Sequence, residues 1–262
     1  MRARGYSIFA CSPQQDRLLE KMMACAKPGN VGVFDLDGCV FDTRLRQVVI
    51  FREFSSRYDV PILYSVQAKH FVDWNLKTPL RSVGMTEEAI DKIYDTLYDF
   101  WWKRFFHSDY VRMDHALPGA VNFVKKCYQE GMDIVYLTGR DHSTRPGTEA
   151  GLLSYGFPYS QERTLLITKP EFSMEDTAYK TRALSQIRKI GKAVLFIDNE
   201  PSNINAFHSA EPDALSIFIE TDHSPRNIAP HREIPWLRSF CTRAWHGENW
   251  RDFEEAPYCP TA

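Results

Sequence analysis

No apolar run in this chain approaches the roughly 18 residues that a membrane-crossing helix requires. The opening MRARGYSIFAC carries two arginines and a short apolar patch ending at Cys11. A secretory leader needs about 7 to 15 apolar residues, so neither a leader nor a lipid-anchored Cys11 is expected. An excess of one charge sign is also missing. The net charge of −2 supplies no field that would draw in nucleic acid or an anionic membrane over distance. The six cysteines are scattered, with no CxxC pair and no histidine at zinc-finger spacing. A chain of 262 residues can bury a full core without disulfides, so free thiols and a cytoplasmic setting are expected. Internal repeats and low-complexity stretches are absent too.

What the chain does have is alternation. Residues 12–26 carry helix-start signals, with Ser12 as N-cap, Pro13 at the first helical position and Gln15 placed for a capping box. A strand is expected at 31–34. From about Gly119 helices and apolar strands take turns: helix 121–130, strand 134–137, helix 148–155, strand 165–167, helix 178–190, strand 194–197, helix 202–210 and strand 215–219. This order predicts an α/β fold with a parallel sheet covered by helices on both faces. Residues 44–116 interrupt it with helical periodicity, clearest where Ile90, Tyr94, Leu97, Trp101 and Phe105 recur after the helix start at Thr86. The expected organisation is a catalytic core of residues 1–43 and 117–221 with a helical domain inserted at 44–116. A C-terminal extension, 222–262, would pack on the core or on a partner. It holds Trp236, Trp245 and Trp250 and has little pattern.

The chemistry gathers at strand ends. VGVFDLDGCVFDT (31–43) runs four mostly apolar residues into Asp35, Leu36, Asp37 and Gly38. Asp35, Thr138 and Asp198 each follow an apolar strand directly, and in a parallel sheet such positions converge on the edge where ligands bind. A lone Asp-x-Asp reads equally well as a solvated strand end. An EF-hand fails, because Val40 stands where the loop glycine belongs and Arg46 where the bidentate glutamate belongs. Clustered carboxylates repel a phosphate, each pair of unit charges at about 4 Å costing roughly 4 kcal/mol at an effective dielectric of 20. The cluster therefore calls for a hard divalent cation and a lysine. Lys180, at the start of the helix leading to the Asp198 strand, is preferred. Lys169, after strand 165–167, remains the rival.

The set DLDGCVFDT, YLTGR, a later lysine and FIDNE resembles, in order, the four motifs of the haloacid dehalogenase (HAD) superfamily of phosphotransferases. The resemblance spans about residues 31–220. It implies a Rossmann-like core with a cap after strand one, Asp35 as nucleophile forming an aspartyl-phosphate, and Asp37 as general acid and then base. It also implies Thr138 as a phosphoryl-oxygen ligand and Lys180 as charge neutraliser. Mg2+ would be held by Asp35, the backbone carbonyl of Asp37, and Asp198. Family members that cleave carbon–halogen bonds lack the second aspartate, so Asp37 points to phosphoryl chemistry. The fourth motif departs from the common Asp-Asp, reading Asp198-Asn199-Glu200, with Asn199 or Asn203 placed to act through water.

Gly139 and Arg140 are candidate substrate-binding residues, and pairing of Arg140 with Asp141 is the competing structural reading. Arg145 and Thr148 resemble a pattern in members acting on nucleotides or nucleic-acid ends. Asp42 and Thr43 are expected to stabilise the turn into the cap, and Cys39 to fill space. The aromatics Phe100, Trp101, Trp102, Phe105 and Phe106 read as core first and as a flat-substrate pocket second. The function expected is Mg2+-dependent hydrolysis of a small phosphorylated metabolite or nucleotide. No nucleic-acid or membrane partner is expected, and oligomeric state is left open. A phosphotransferase or mutase, a nucleic-acid-end phosphatase and a non-catalytic binding protein of the same fold are the alternatives.

Overall fold

The computed structural model describes residues 12–224 and 227–242. The expectations for Cys11, Cys259, Trp245 and Trp250 lie outside the described residues. Helix α1 (Pro13–Met23) begins at Ser12, whose hydroxyl accepts the Gln15 N–H at 3.1 Å. Strand β1 (Asn30–Phe34) and the short β2 (Phe41–Asp42) follow. A helical insertion then holds α2 (Arg44–Tyr58), two 3-10 turns (Pro61–Ser65 and Ala68–His70), α3 (Lys77–Ser82), α4 (Glu87–Phe105) and α5 (Ser108–Val111). It closes on β3 (His115–Ala116), which pairs antiparallel with β2. Beyond come α6 (Ala120–Gln129), β4 (Asp133–Asp141), α7 (Arg145–Ser154), β5 (Thr164–Lys169) and α8 (Asp176–Ile187). The last elements are β6 (Lys192–Asp198), α9 (Pro201–Ala210), β7 (Leu215–Ile219) and β8 (Trp236–Leu237).

Six strands form one sheet in the order β5-β4-β1-β6-β7-β8, each neighbouring pair parallel. The chain steps outward from β1 through β4 to β5, returns to β1's other side with β6, and steps outward again. The reversal lies between β1 and β6, and a crevice opens at such a switch point beyond the carboxyl ends of the strands. Strand β4 runs past its expected end through Thr138, Gly139 and Arg140. After a register shift Asp141 pairs with Lys169, and this pairing lengthens both strands.

Period-two alternation sends one set of strand residues to each face. Phe34, Ile134, Tyr136, Leu195 and Ile197 pack with residues of α1 and α6. Val31, Val33, Val135, Leu137 and Phe196 pack with residues of α8 and α9. The insertion encloses an apolar cluster of its own, including Ile50, Phe51, Phe54, Leu80, Ile90, Leu97 and Trp101. Its longest helix, α4, starts where Thr86 accepts the Ala89 N–H, with Glu87 and Glu88 against the positive end of the helix.

Residues 227–242 lie against the core. Strand β8 extends the sheet beside β7, the Phe240 ring sits 5.2 Å from that of Phe123, and the Gln15 amide donates to the Cys241 carbonyl at 2.7 Å. Cys25, Cys39 and Cys127 are free thiols. Among the described residues no helix is long and apolar enough to cross a membrane.

Candidate active site

Strands β1 and β6 are neighbours, so Asp35, just past one, and Asp198, the last residue of the other, come side by side. The Asp35 N–H continues the ladder onto the Ile197 carbonyl at 2.9 Å. From the first turns of α8, which packs over this edge, the Lys180 ammonium reaches between them. It donates to Asp35 Oδ1 at 2.6 Å and to Asp198 Oδ2 at 2.7 Å. All three side chains are buried, Lys180 being 2% exposed. Burial pushes the Asp35 carboxyl up to about 8, against the pull of Lys180 and with the push of Asp198. Asp198 is raised for the same first reason. Desolvation works against the Lys180 ammonium, but its two carboxylates outweigh that and raise its pKa well above the ordinary value.

Lys169 is in another place. Its ammonium donates to the carbonyls of Phe172 and Met174, both at 3.0 Å, and pairs with Asp176, folding the loop between β5 and α8. That loop passes close to the motif at Gly139, where an added Cβ would meet the Asp176 carboxylate at 2.7 Å. Gly139 is a site of close approach. Thr138 is fully buried at the sheet edge, its hydroxyl accepting the Arg140 N–H at 3.1 Å.

Asp37 does not join Asp35 on the lysine. The chain turns at Gly38, which has φ +67° and donates its N–H to the Phe41 carbonyl at 2.8 Å. The Asp37 carboxylate goes to two arginines instead. Arg140 grips it with Nε at 2.7 Å and Nη2 at 2.9 Å, and Arg46 Nη2 donates to it at 2.6 Å. Burial alone would raise the Asp37 carboxyl, but these guanidinium groups hold it well below the usual carboxylate range. Asp114 completes a square of two cations and two anions, with Arg46 Nε at 2.9 Å and Arg140 Nη2 at 2.5 Å. Burial lifts Asp114 to about 7 despite both arginines.

Arg140 thus pairs with Asp37 and Asp114 rather than with Asp141. Its remaining nitrogen donates to Thr148 at 3.1 Å, while Asp141 accepts from the Ser143 N–H at 3.0 Å. Arg145 pairs with Glu149 at 2.7 Å, one turn along α7. Asn199 turns away and donates to the Asp222 carbonyl at 2.6 Å. Asn203 stays beside Asp198, 3.4 Å from each carboxylate oxygen. Asp42 pairs with Arg44 at 2.6 Å at the entry to α2. The Cys39 thiol is buried and pushed up, first by desolvation and then by Asp35 and Asp198.

Sequence reasoning missed Arg46 and Asp114. Arg46 carried a signal: with Val49, Ile50 and Phe54 it lies on the inward face of α2, where an arginine needs a buried partner. It is 1% exposed, lies 4.0 Å over the Phe105 ring, and donates to the Phe105 carbonyl at 2.7 Å. Asp114 stands in an irregular stretch and had no such pattern. The aromatic cluster divides. Phe100, Trp101 and Phe105 are core, whereas Trp102 is 40% exposed and packs 5.3 Å from Phe172 of the β5–α8 loop.

With both carboxylates ionised, the one ammonium between Asp35 and Asp198 leaves a buried deficit of positive charge. Their oxygens, with Asn203 alongside, form a hard-donor set suited to a divalent cation.

Comparison with known proteins shows the family. Residues 99–258, more than half of the chain, match the acid phosphatase family described as HAD superfamily, subfamily IIIB. The match contains Thr138, Lys180 and Asp198, while Asp35 and Asp37 lie upstream of it. In structure the chain is similar to protein tyrosine kinase A of Mycobacterium tuberculosis, at 15% identity and a TM-score of 0.52, covering 81% of this chain and 94% of that one. It is also similar to a putative phosphatase from Clostridium difficile, at 10% identity and a TM-score of 0.47, covering 76% and 88%. The class C acid phosphatase of Bacillus anthracis with tungstate bound gives 19% identity and a TM-score of 0.39, covering 76% and 68%. A comparison with curated protein sequences finds no match. The family match, the parallel sheet and the strand-end carboxylates together make this chain a member of the HAD superfamily, subfamily IIIB acid phosphatases, and a phosphoric monoester hydrolase.

Proposed function

We propose that the chain hydrolyses a small phosphomonoester, a phosphorylated metabolite or nucleotide, through an aspartyl-phosphate on Asp35, with Mg2+ as cofactor. The observation that carries this is the Asp35–Lys180–Asp198 cluster, two buried carboxylates at the sheet's switch point sharing one ammonium. Asp35, Asp198 and the Asp37 carbonyl are the groups that would hold Mg2+, whose charge would offset that deficit and polarise the phosphoryl oxygens.

In the first half-reaction an Asp35 oxygen attacks phosphorus, the ester P–O bond breaks, and Asp37 delivers a proton to the leaving oxygen. In the second, water attacks the phosphoryl group, its proton passes to Asp37, and the bond to Asp35 breaks to release inorganic phosphate. The proton taken up in one turnover is then available for the next leaving group. The arginine clamp favours ionised Asp37, the form required by the second half, and opposes the protonated form required by the first. Lys180 steadies the Asp35 carboxylate, and the Thr138 hydroxyl stands ready for a phosphoryl oxygen. The insertion reaches this site through Arg46 on Asp37, and this contact supports a role for the insertion in excluding bulk water during turnover.

The test is release of inorganic phosphate from an aryl phosphate and from a panel of sugar phosphates and nucleotides. Activity should need Mg2+, stop with EDTA and be lost in Asp35→Asn. Quenched wild-type enzyme should carry an acid-stable, hydroxylamine-labile phosphoryl group. Full turnover in Asp35→Asn, or in excess EDTA, would overturn the nucleophile or the metal respectively. Appearance of a new ester instead of phosphate would make the enzyme a transferase.

A further inference from the structure

The last turn of α9 carries a second cluster, at the opposite end of that helix from Asp198. His208 meets His231 and Glu233 of the segment joining β7 to β8, and one ligand-capable atom from each lies within 4.8 Å of the other two. The two imidazole rings are stacked with centroids 5.5 Å apart, and Glu233 approaches His231 Nδ1 at 4.0 Å. Among the described residues no other trio of His, Cys, Asp or Glu meets in this way.

We infer that His208, His231 and Glu233 form a structural site for a zinc-class divalent cation, separate from the phosphatase centre. Two imidazoles and one carboxylate suit Zn2+, and also Co2+, Ni2+ or Cu2+. They suit Mg2+ poorly, since it prefers an all-oxygen shell. The ligand chemistry therefore distinguishes this site from Asp35 and Asp198. Tetrahedral zinc with bonds of about 2.0–2.1 Å separates its ligand atoms by roughly 3.3 Å. The cluster reaches that spacing by rotating side chains, because the backbone beneath is already fixed. Asn205 clamps the segment from α9, accepting the His231 N–H at 2.7 Å and donating to the Ala229 carbonyl at 2.9 Å. The Ile234 N–H closes a turn onto the His231 carbonyl at 2.9 Å, and Ile234 itself is buried in the core. Fixing three side chains on a held backbone loses less conformational entropy than ordering a free loop. The bound cation would fasten the β7–β8 connection to α9 and so secure the edge strand β8.

The experiment uses the untagged full chain, stripped with chelator and then titrated with Zn2+ in excess Mg2+. Calorimetry reads stoichiometry, thermal unfolding reads stabilisation, and Co2+ substitution reads the ligand field in the visible spectrum. Expected are one Zn2+ per chain that Mg2+ does not displace and a Tm rise of about 3–8 °C when zinc is near 100 times Kd. Co2+ should give an absorption band of low-symmetry nitrogen and oxygen ligation. His208→Ala, His231→Ala and Glu233→Gln should each weaken binding by roughly tenfold or more while melting with wild type in the absence of zinc. The double variant Asp35→Asn/Asp198→Asn should bind zinc as the wild type does. Zinc binding that survives His208→Ala and His231→Ala, or no binding at micromolar zinc, would overturn the site. Both results are independent of whether the chain turns over phosphate.

Discussion

Arg46 and Asp37 are joined by a 2.6 Å hydrogen bond that links the helical insertion to the motif that follows β1. Arg46 sits in the first turn of α2, is anchored to α4 through the Phe105 carbonyl, and is balanced on its other side by Asp114. It is a positioning residue. Arg46→Ala should lower kcat about 10- to 100-fold, the usual loss when an outer partner of a site is removed, and change KM little. Steady-state kinetics on the purified variant measures this. The deletion also strands a buried anion, for which about 3–5 kcal/mol of stability is the typical loss. Arg46→Met combined with Asp114→Asn should recover stability in urea unfolding without recovering kcat, separating the two effects.

Lys180 and Lys169 should behave oppositely. Lys180→Ala removes the one ammonium shared by Asp35 and Asp198 and should abolish most of kcat. Lys169→Ala loosens the loop between β5 and α8 and should act mainly on stability or substrate affinity. Kinetics and melting of both variants decide it, and a larger kcat loss in Lys169→Ala would exchange their roles.

Asp37→Asn should slow turnover by about 10² to 10⁴-fold, the usual contribution of a general acid–base group, and leave metal binding intact. The loss should be larger for an alkyl phosphate than for an aryl phosphate with a good leaving group. Equal turnover of the alkyl ester by variant and wild type would remove the proton-transfer role.

Asp114 should make stability depend on pH. Burial raises its carboxyl from an ordinary 3.8 to about 7, so between those values the folded chain holds a proton that the unfolded chain has released. This contribution is present below pH 3.8 and is lost as pH rises through about 7. The slope is at most about 1.4 kcal/mol per pH unit for one proton. Unfolding curves at several pH values should show Asp114→Asn with a flatter profile than wild type across that window. Identical slopes would contradict it.

Gly38→Ala tests the turn that parts the two aspartates. The residue has φ +67°, and an added Cβ would run into the Asn199 amide. A cost of about 1–3 kcal/mol is expected from backbone strain, more if Asn199 cannot yield. Turnover should fall as well, because Asp37 shifts relative to Arg140. A variant with wild-type Tm and kcat would show that the loop tolerates the side chain.

The sheet was legible in the sequence because its strands are short apolar runs, each followed by a helix of matching period, as with β6 and α9. The strand-end carboxylates were legible for the same reason: parallel topology brings Asp35 and Asp198 to one edge whatever lies between them. The arginine clamp was not. Whether Arg140 meets Asp141, substrate or Asp37 depends on how Gly38 turns the chain, and no local pattern encodes that turn's direction. Asp114 gains its meaning only from Arg46 and Arg140, two residues far away in sequence. Strand β8 was equally hidden, since its two residues follow a loop and carry no period.

The contact between Lys180 and Asp35 closes a loop of 145 residues, and every strand pair of the main sheet joins segments separated by a crossover. The Asp35–Lys180–Asp198 cluster is not assembled locally. A nascent chain emerging from the ribosome carries Asp35 and Asp37 early, yet the Asp35–Lys180–Asp198 cluster cannot form until α8 and β6 have been made and have docked. Termination before β6 would leave β1 with an unpaired edge, a species disposed to associate with its own kind.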